Sequence, residues 1–114
     1  MFSKDAAVLQ GTIELLVLKR LSCGPMHGYG IASWIETATG DVLSVEEGSL
    51  YPALYRMVQK RWIKGEWGVS ENNRRAKYYR ITAEGRRQLR AESSTWTTFS
   101  QAVSKVLTTT TASV

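Results

Sequence analysis

Apolar residues recur along this chain with two different periods, and the places where the period changes mark out its elements. Over residues 6–22, Leu9, Ile13, Leu16, Val17 and Leu21 fall on one stripe of a helix. Leu15 and Leu18 widen that stripe beyond one contact face, so the helix is either nearly enclosed or meets a second surface. Cys23-Gly24-Pro25 stops it, because Gly accepts the backbone turn that ends a helix and Pro cannot continue one. A second helix is predicted from about His27 to Thr39, with Ile31, Trp34, Ile35 and Ala38 inward and Gly40 closing it. A third starts between Val45 and Gly48 and buries Leu50, Leu54, Met57 and Val58, while Pro52 limits how far upstream it can begin cleanly. The period then falls to two. Ile63, Trp67 and Val69 alternate along one strand, Ser70-Glu71-Asn72-Asn73 has turn chemistry, and Ala76 to Ile81 returns as a second strand.

Helical spacing resumes after Thr82, a good N-cap, with Glu84 near the positive end of the new helix dipole. Over about Ala83 to Leu107, the residues Leu89, Trp96, Phe99, Val103 and Val106 are spaced by seven, three, four and three, the seam of a coiled coil. A helix of roughly 25 residues spans about 37 Å, longer than so small a core can cover. The seam predicts a second copy of the chain, the alternative being that it folds back on the first helix. The interface is expected to take in Leu9 and Ile13 with Leu89, Trp96, Phe99, Val103 and Val106, and the spare width of the first helix favours it. Thr108 to Val114 is expected to be a disordered polar tail. The organisation expected is a unit over residues 1–82 with its hairpin at about 63–81, a dimerisation helix over 83–107, and the tail over 108–114. The fold class is mainly α with a small antiparallel β-hairpin.

Charge sharpens the picture. The 114 residues carry a formal net charge of +5. From Arg56 to Arg90 there are eleven Lys/Arg against three Glu, net +8, while the remainder has four basic and seven acidic residues, net −3. A positive field concentrated in one third of the chain favours a polyanionic partner. Cys23, the only cysteine, excludes an intramolecular disulfide and a Cys-rich metal site, and reads as a small packing residue in a reducing, cytoplasmic setting. No apolar run approaches the roughly 20 residues needed to span a bilayer, and no signal peptide is expected. Neither paired catalytic carboxylates, metal-ligand spacing, a phosphate-cradling glycine loop nor a nucleophile with its base is present, so enzyme chemistry, metals and cofactors are not expected.

The third helix and the hairpin carry the candidate chemistry. Off the buried stripe the helix presents Ser49, Tyr51, Tyr55 and Arg56, hydroxyls and a guanidinium of the kind that hydrogen-bond phosphates and base edges. The hairpin follows at once with Arg74, Arg75 and Lys77. A helix that can enter a major groove, followed by a basic hairpin that can reach the neighbouring backbone, is the arrangement of a winged helix-turn-helix. His27-Gly28-Tyr29 opens the second helix, where free N–H groups favour phosphate; Tyr29 can add its hydroxyl, or pack while His27 caps. Trp34, Trp62 and Trp67 read as packing residues, with Trp67 toward the hairpin edge. The competing reading is a winged helix that binds another protein; so concentrated a positive charge speaks against it.

Gly-Pro-x-His-Gly-Tyr at 24–29, Gly-Ser-Leu-Tyr-Pro-Ala-Leu at 48–54, Arg-Arg-x-Lys-Tyr-Tyr-x-Ile-Thr at 74–82 and Gly85-Arg86 together resemble the PadR family of bacterial transcriptional regulators, over roughly residues 7 to 107. The resemblance implies a homodimeric winged helix that represses genes through a palindromic operator in double-stranded DNA. It puts Ser49 and Tyr51 where the recognition helix meets DNA, and Arg74, Arg75 and Lys77 in the wing. With one long helix after the wing, the chain looks like the short, multidrug-binding type. In that type a tryptophan of the last helix lines a flat pore between subunits, which implies a role for Trp96, with Phe99 beside it, in binding a small planar aromatic effector.

Overall fold

The computed structural model describes residues 6–110 and Ala112, without the side chains of residues 6–10. Four helices and three short strands follow in the order α1 (Ala6–Leu21), β1 (Met26–His27), α2 (Gly28–Ala38), α3 (Glu47–Gln59), β2 (Ile63–Val69), β3 (Arg75–Ile81) and α4 (Ala83–Thr108). The expected fold class holds, with one correction. The hairpin is part of a three-stranded antiparallel sheet of order β1-β3-β2, in which Met26 pairs with Tyr79 and His27 with Tyr78. Two residues have no periodicity, so β1 exists only because β3 offers its free edge to the segment after Pro25.

α1 runs through the middle of the core. Ile13, Val17, Leu18 and Leu21 are enclosed by Ile31 and Ile35 of α2, Leu50, Ala53, Leu54 and Met57 of α3, and Ile63 and Tyr79 of the sheet. The wide stripe of α1 is only partly taken up by this core: Ile13, Val17, Leu18 and Leu21 are enclosed, while Leu15 and Leu16 are half-buried. This corrects one expected interface residue: Ile13 has 0% exposure within its own chain and has no surface left for a partner. Leu89 is half-buried and packs against the same core. The side chain of Leu9 lies outside the described residues.

The connections follow from local chemistry. Gly24, at φ 131°, turns the chain after α1. α2 ends where the Asp41 N–H reaches back to the Glu36 carbonyl at 2.8 Å, with Gly40 and Asp41 both left-handed at φ 58° and 66°. α3 starts at Glu47, inside the expected window, and keeps Pro52 at its sixth position. Pro52 has no N–H for the carbonyl of Gly48, but both residues are exposed and water can take that bond. Past α3, Arg61 at φ 64° lets the Trp62 N–H bond the Met57 carbonyl at 3.0 Å and swings the chain into β2.

The base of the hairpin is fastened to α4. The Thr82 N–H donates to the Trp62 carbonyl at 3.0 Å, and the Thr82 hydroxyl accepts from the Gly85 N–H at 3.0 Å as an N-cap. α4 then leaves the body. Of residues 93–108 all but Ser100 are exposed, including Trp96 at 49%, Phe99 at 59%, Val103 at 39% and Val106 at 73%. Thr108, expected in the tail, is helical; Thr109 and Thr110 are exposed, and Thr111, Ser113 and Val114 lie outside the described residues. Cys23 also departs from expectation. It is exposed on the turn after α1, its thiol 3.8 Å from the Lys19 carbonyl, and packs in no core.

Candidate nucleic-acid interface

The expected DNA-contact residues come from three elements. Tyr29 stands on the first turn of α2, 75% exposed. His27 caps that helix: the Gly30 N–H donates to His27 Nδ1 at 2.9 Å, and the imidazole lies edge-on to Tyr78 at 5.3 Å. Tyr51 and Tyr55, one turn apart on α3, are 43% and 67% exposed. Ser49 is half-buried, and two residues along a helix is about 200° of rotation, so Ser49 and Tyr51 sit on opposite flanks of the exposed face. Arg56 lies on the flank toward α1, where its Nε meets Glu14 Oε2 at 3.4 Å; Lys60 meets the other oxygen of that carboxylate at 3.8 Å.

The position of Tyr51 depends on a glycine. Gly28 is buried beneath its ring, and a Cβ there would come within 2.8 Å of the Tyr51 hydroxyl oxygen and 2.9 Å of the ring. Any side chain at position 28 would push the Tyr51 ring out of this place. Tyr79, under the same surface, has its hydroxyl pushed above its ordinary value of 10.0, first by burial and second by the neighbouring Tyr51, so it stays neutral in ordinary buffers.

The hairpin register sorts the wing into two faces. Trp67 pairs with Lys77 and Val69 with Arg75, while Glu66 pairs with Tyr78. On one face Arg80 is neutralised by Glu66, with Nη2 to Oε1 at 2.9 Å. On the other, Arg75 lies over the Trp67 ring at 4.5 Å and Lys77 stands 6.0 Å from the rings of both Trp67 and Tyr79. Arg74, Arg75 and Lys77 form no ion pair with a carboxylate among the described residues. Trp67 is therefore no core residue: it is 59% exposed, which corrects the packing role expected of it, whereas Trp34 and Trp62 do pack against the core.

These parts face each other across an open groove of about 730 Å³, lined by His27, Tyr29, Tyr51, Trp67, Arg74, Arg75 and Lys77, with Glu71 and Asn72 of the turn at its rim. A second groove of about 420 Å³ runs between α1 and α4, walled by Thr12, Leu15, Gln88, Glu92, Trp96 and Phe99. Among the described residues there is no group of three or more His, Cys, Asp or Glu placed to hold a metal, and no helix long and apolar enough to cross a membrane.

A helix pair with a basic wing alongside, all facing one groove, is the geometry of a winged-helix regulator. The family model described as the transcriptional regulator PadR-like family matches residues 17–91, more than half of the chain. The chain belongs to the PadR-like family. Its structure is similar to that of a transcriptional regulator from Clostridium thermocellum, with a TM-score of 0.79 and 29% identity over 87% of this chain and 96% of that one. It is also similar to a PadR family transcriptional regulator from Eggerthella lenta, with a TM-score of 0.76 and 30% identity over 95% and 93% of the two chains. In sequence it is 27% identical over 82 residues to an uncharacterized protein X of Lysinibacillus sphaericus, covering 72% of this chain and 75% of that protein. A PadR-like chain is a transcriptional regulator and not an enzyme, and its partner is DNA. His27 as cap is one of the two readings its place before α2 allowed, whereas Gly28 beneath Tyr51 and Trp67 beneath Arg75 are the parts of this PadR-like surface that composition and periodicity do not reveal. The last is readable once the register is known, since Val69 opposite Arg75 brings Trp67 to the diagonal position.

Proposed function

We propose that this PadR-like regulator is a homodimeric repressor that binds a palindromic operator. Residues 1–82 form the DNA-reading unit, with the wing at about 63–81, and residues 83–107 the dimerisation helix. The observation that carries the DNA-contact assignment is the groove in which Tyr29 and Tyr51 face Arg74, Arg75 and Lys77, three cations that pair with no carboxylate among the described residues. In this reading Tyr51, Tyr55 and Ser49 meet the major groove and supply sequence choice. Tyr29 and the wing cations hold phosphates and supply most of the affinity. Arg56, engaged with Glu14, fixes the pitch of α3 against α1 and reaches the backbone from that flank.

Dimerisation follows from α4. An isolated stretch of helix with Trp96, Phe99, Val103 and Val106 exposed is marginal in water. A second copy, related by a two-fold axis, covers that stripe and spaces two recognition helices about one turn of DNA apart. Trp96 and Phe99 also wall the groove beside α1, which supports a planar aromatic effector there. Its binding would favour a spacing of the two reading units that misfits the operator. A regulator of this kind works in the cytoplasm.

The test is fluorescence anisotropy on a duplex from the region upstream of the gene, at several salt concentrations, against a scrambled duplex. The expected result is salt-dependent binding that prefers the native duplex with two protomers per site. Weak binding, equal on both duplexes, would contradict a specific regulator and favour a protein-binding winged helix.

A further inference from the structure

The two faces of the wing treat their cations differently. On the outer face Arg80 is held by a carboxylate, which fixes its direction and cancels its charge: Nη2 and Nε reach Glu66 Oε1 at 2.9 and 3.2 Å. On the groove face Arg75 is held by an aromatic ring, with its guanidinium carbon 4.5 Å from the Trp67 centroid, and Lys77 flanks the same ring at 6.0 Å. A ring attracts a cation through its quadrupole and leaves the full positive charge available to a third group. The difference matters on a surface that must present charge to phosphate. A flexible arginine loses rotamer freedom on docking, and a ring can remove that freedom in advance without neutralising the fork.

Other features favour this arrangement over incidental contact. Trp67 is 59% exposed, so the core does not account for a residue of that size at this place. Gly65, two residues before it on the same face of β2, leaves room for the stem of Lys77 to lie across the sheet: a Cβ there would come within 2.6 Å of Lys77 Cε and 3.2 Å of the Tyr79 ring. Glu71, which also borders the groove, makes no ion pair with either cation. The geometry points to Trp67 as a positioning residue for DNA binding, which sets Arg75, and through the shared ring Lys77, toward a phosphate without cancelling their charge. The inference rests on the DNA-binding reading above.

The experiment is a double-mutant cycle on the full chain, read as anisotropy on a mixed-sequence duplex, because a phosphate contact does not depend on sequence. Trp67→Leu is expected to weaken binding about three- to fivefold, the scale of an exposed cation–π contact. Trp67→Phe, which keeps a ring, recovers most of the affinity although Leu is equally apolar. Arg75→Ala weakens binding at least as much as Trp67→Leu, and adding Trp67→Leu to it costs clearly less than Trp67→Leu costs alone, only the part that Lys77 carries. The melting temperatures of both Trp67 variants stay near that of the wild type.

Losses that multiply in the double variant would overturn the inference, because Trp67 would then act through a contact of its own. Full affinity in Trp67→Leu would overturn it too, reducing the ring to apolar cover. If the wild-type chain shows no salt-dependent binding to this duplex, the DNA-binding reading itself fails and takes the inference with it. If the wild type binds and only the cycle is additive, the role of Trp67 alone is lost.

Discussion

Replacing Gly85 by Ala sets two magnitudes against each other. Gly85 is the third residue of α4, where Ala is the better helix former by about 1 kcal/mol. Helix propensity alone therefore predicts a more stable protein. Packing predicts the reverse. A Cβ at this position would fall well inside the van der Waals shell of the Trp62 carbonyl oxygen, 3.0 Å from the carbonyl carbon and 2.9 Å from Ile81 Cγ1. The nearest obstacle is backbone and cannot rotate away. It is also the carbonyl that accepts the Thr82 N–H at 3.0 Å, so relief means prising the base of the hairpin from α4. Overpacking of this kind costs about 1–3 kcal/mol, and weakening the Thr82 cap adds about 1 kcal/mol. Packing wins by roughly 2 kcal/mol, which for a domain of this size lowers the melting temperature on the order of 10 °C. The assay is thermal unfolding followed by circular dichroism at one fixed protomer concentration, because a dimer melts in a concentration-dependent way. Gly48→Ala is the matched control: it too lies early in a helix, nothing lies within 4 Å of its Cβ, and it should gain a few tenths to about 1 kcal/mol. A Gly85→Ala protein that melts with or above the wild type would refute the reasoning.

Replacing both Arg74 and Arg75 by Ala should weaken binding to all duplexes alike and reduce the salt slope by about two; a selective loss on one sequence would mean that they read bases. Ser49→Ala should instead change which sequences are preferred, as seen by competition between duplexes. Val103→Glu, placing a charge in the exposed apolar stripe of α4, should turn the proposed dimer into monomers by light scattering while leaving the helical spectrum of the body intact; an unchanged dimeric mass would remove α4 from the interface, and a monomeric wild type would refute the dimer itself. The raised Tyr79 hydroxyl gives a signed dependence on pH: the folded chain holds that proton more tightly than the unfolded one, so the stability it contributes is present below its ordinary value of 10.0 and is lost as pH rises beyond. Tyr79→Phe should flatten that alkaline fall in melting temperature.

The elements of this chain were legible because each is written locally. The stripe Leu50, Leu54, Met57 and Val58 needs only its own spacing to place α3. Thr82 and Glu84 announce α4 by their own chemistry, and the charge bias of residues 56–90 is visible without coordinates. β1 was not legible, because two residues become a strand only when β3 is beside them. Nor was the fate of Ile13: period alone says that a residue is inward, and whether inward means the core of one chain or a seam between two depends on what surrounds α1.

The candidate site divides the same way. Sequence by itself determined that a helix bearing Tyr51 and Tyr55 is followed by a hairpin bearing Arg74, Arg75 and Lys77, and that the last helix is too long and too apolar for its own core. These are properties of neighbours along the chain. Only the tertiary structure decided that Gly28 lies under Tyr51, that Arg56 answers to Glu14 on another helix, and that Trp67 lies under Arg75 and not in the core. Each of these is a contact between residues far apart in sequence or across a strand register. Such contacts are fixed by how the elements pack and pair, which no local period encodes.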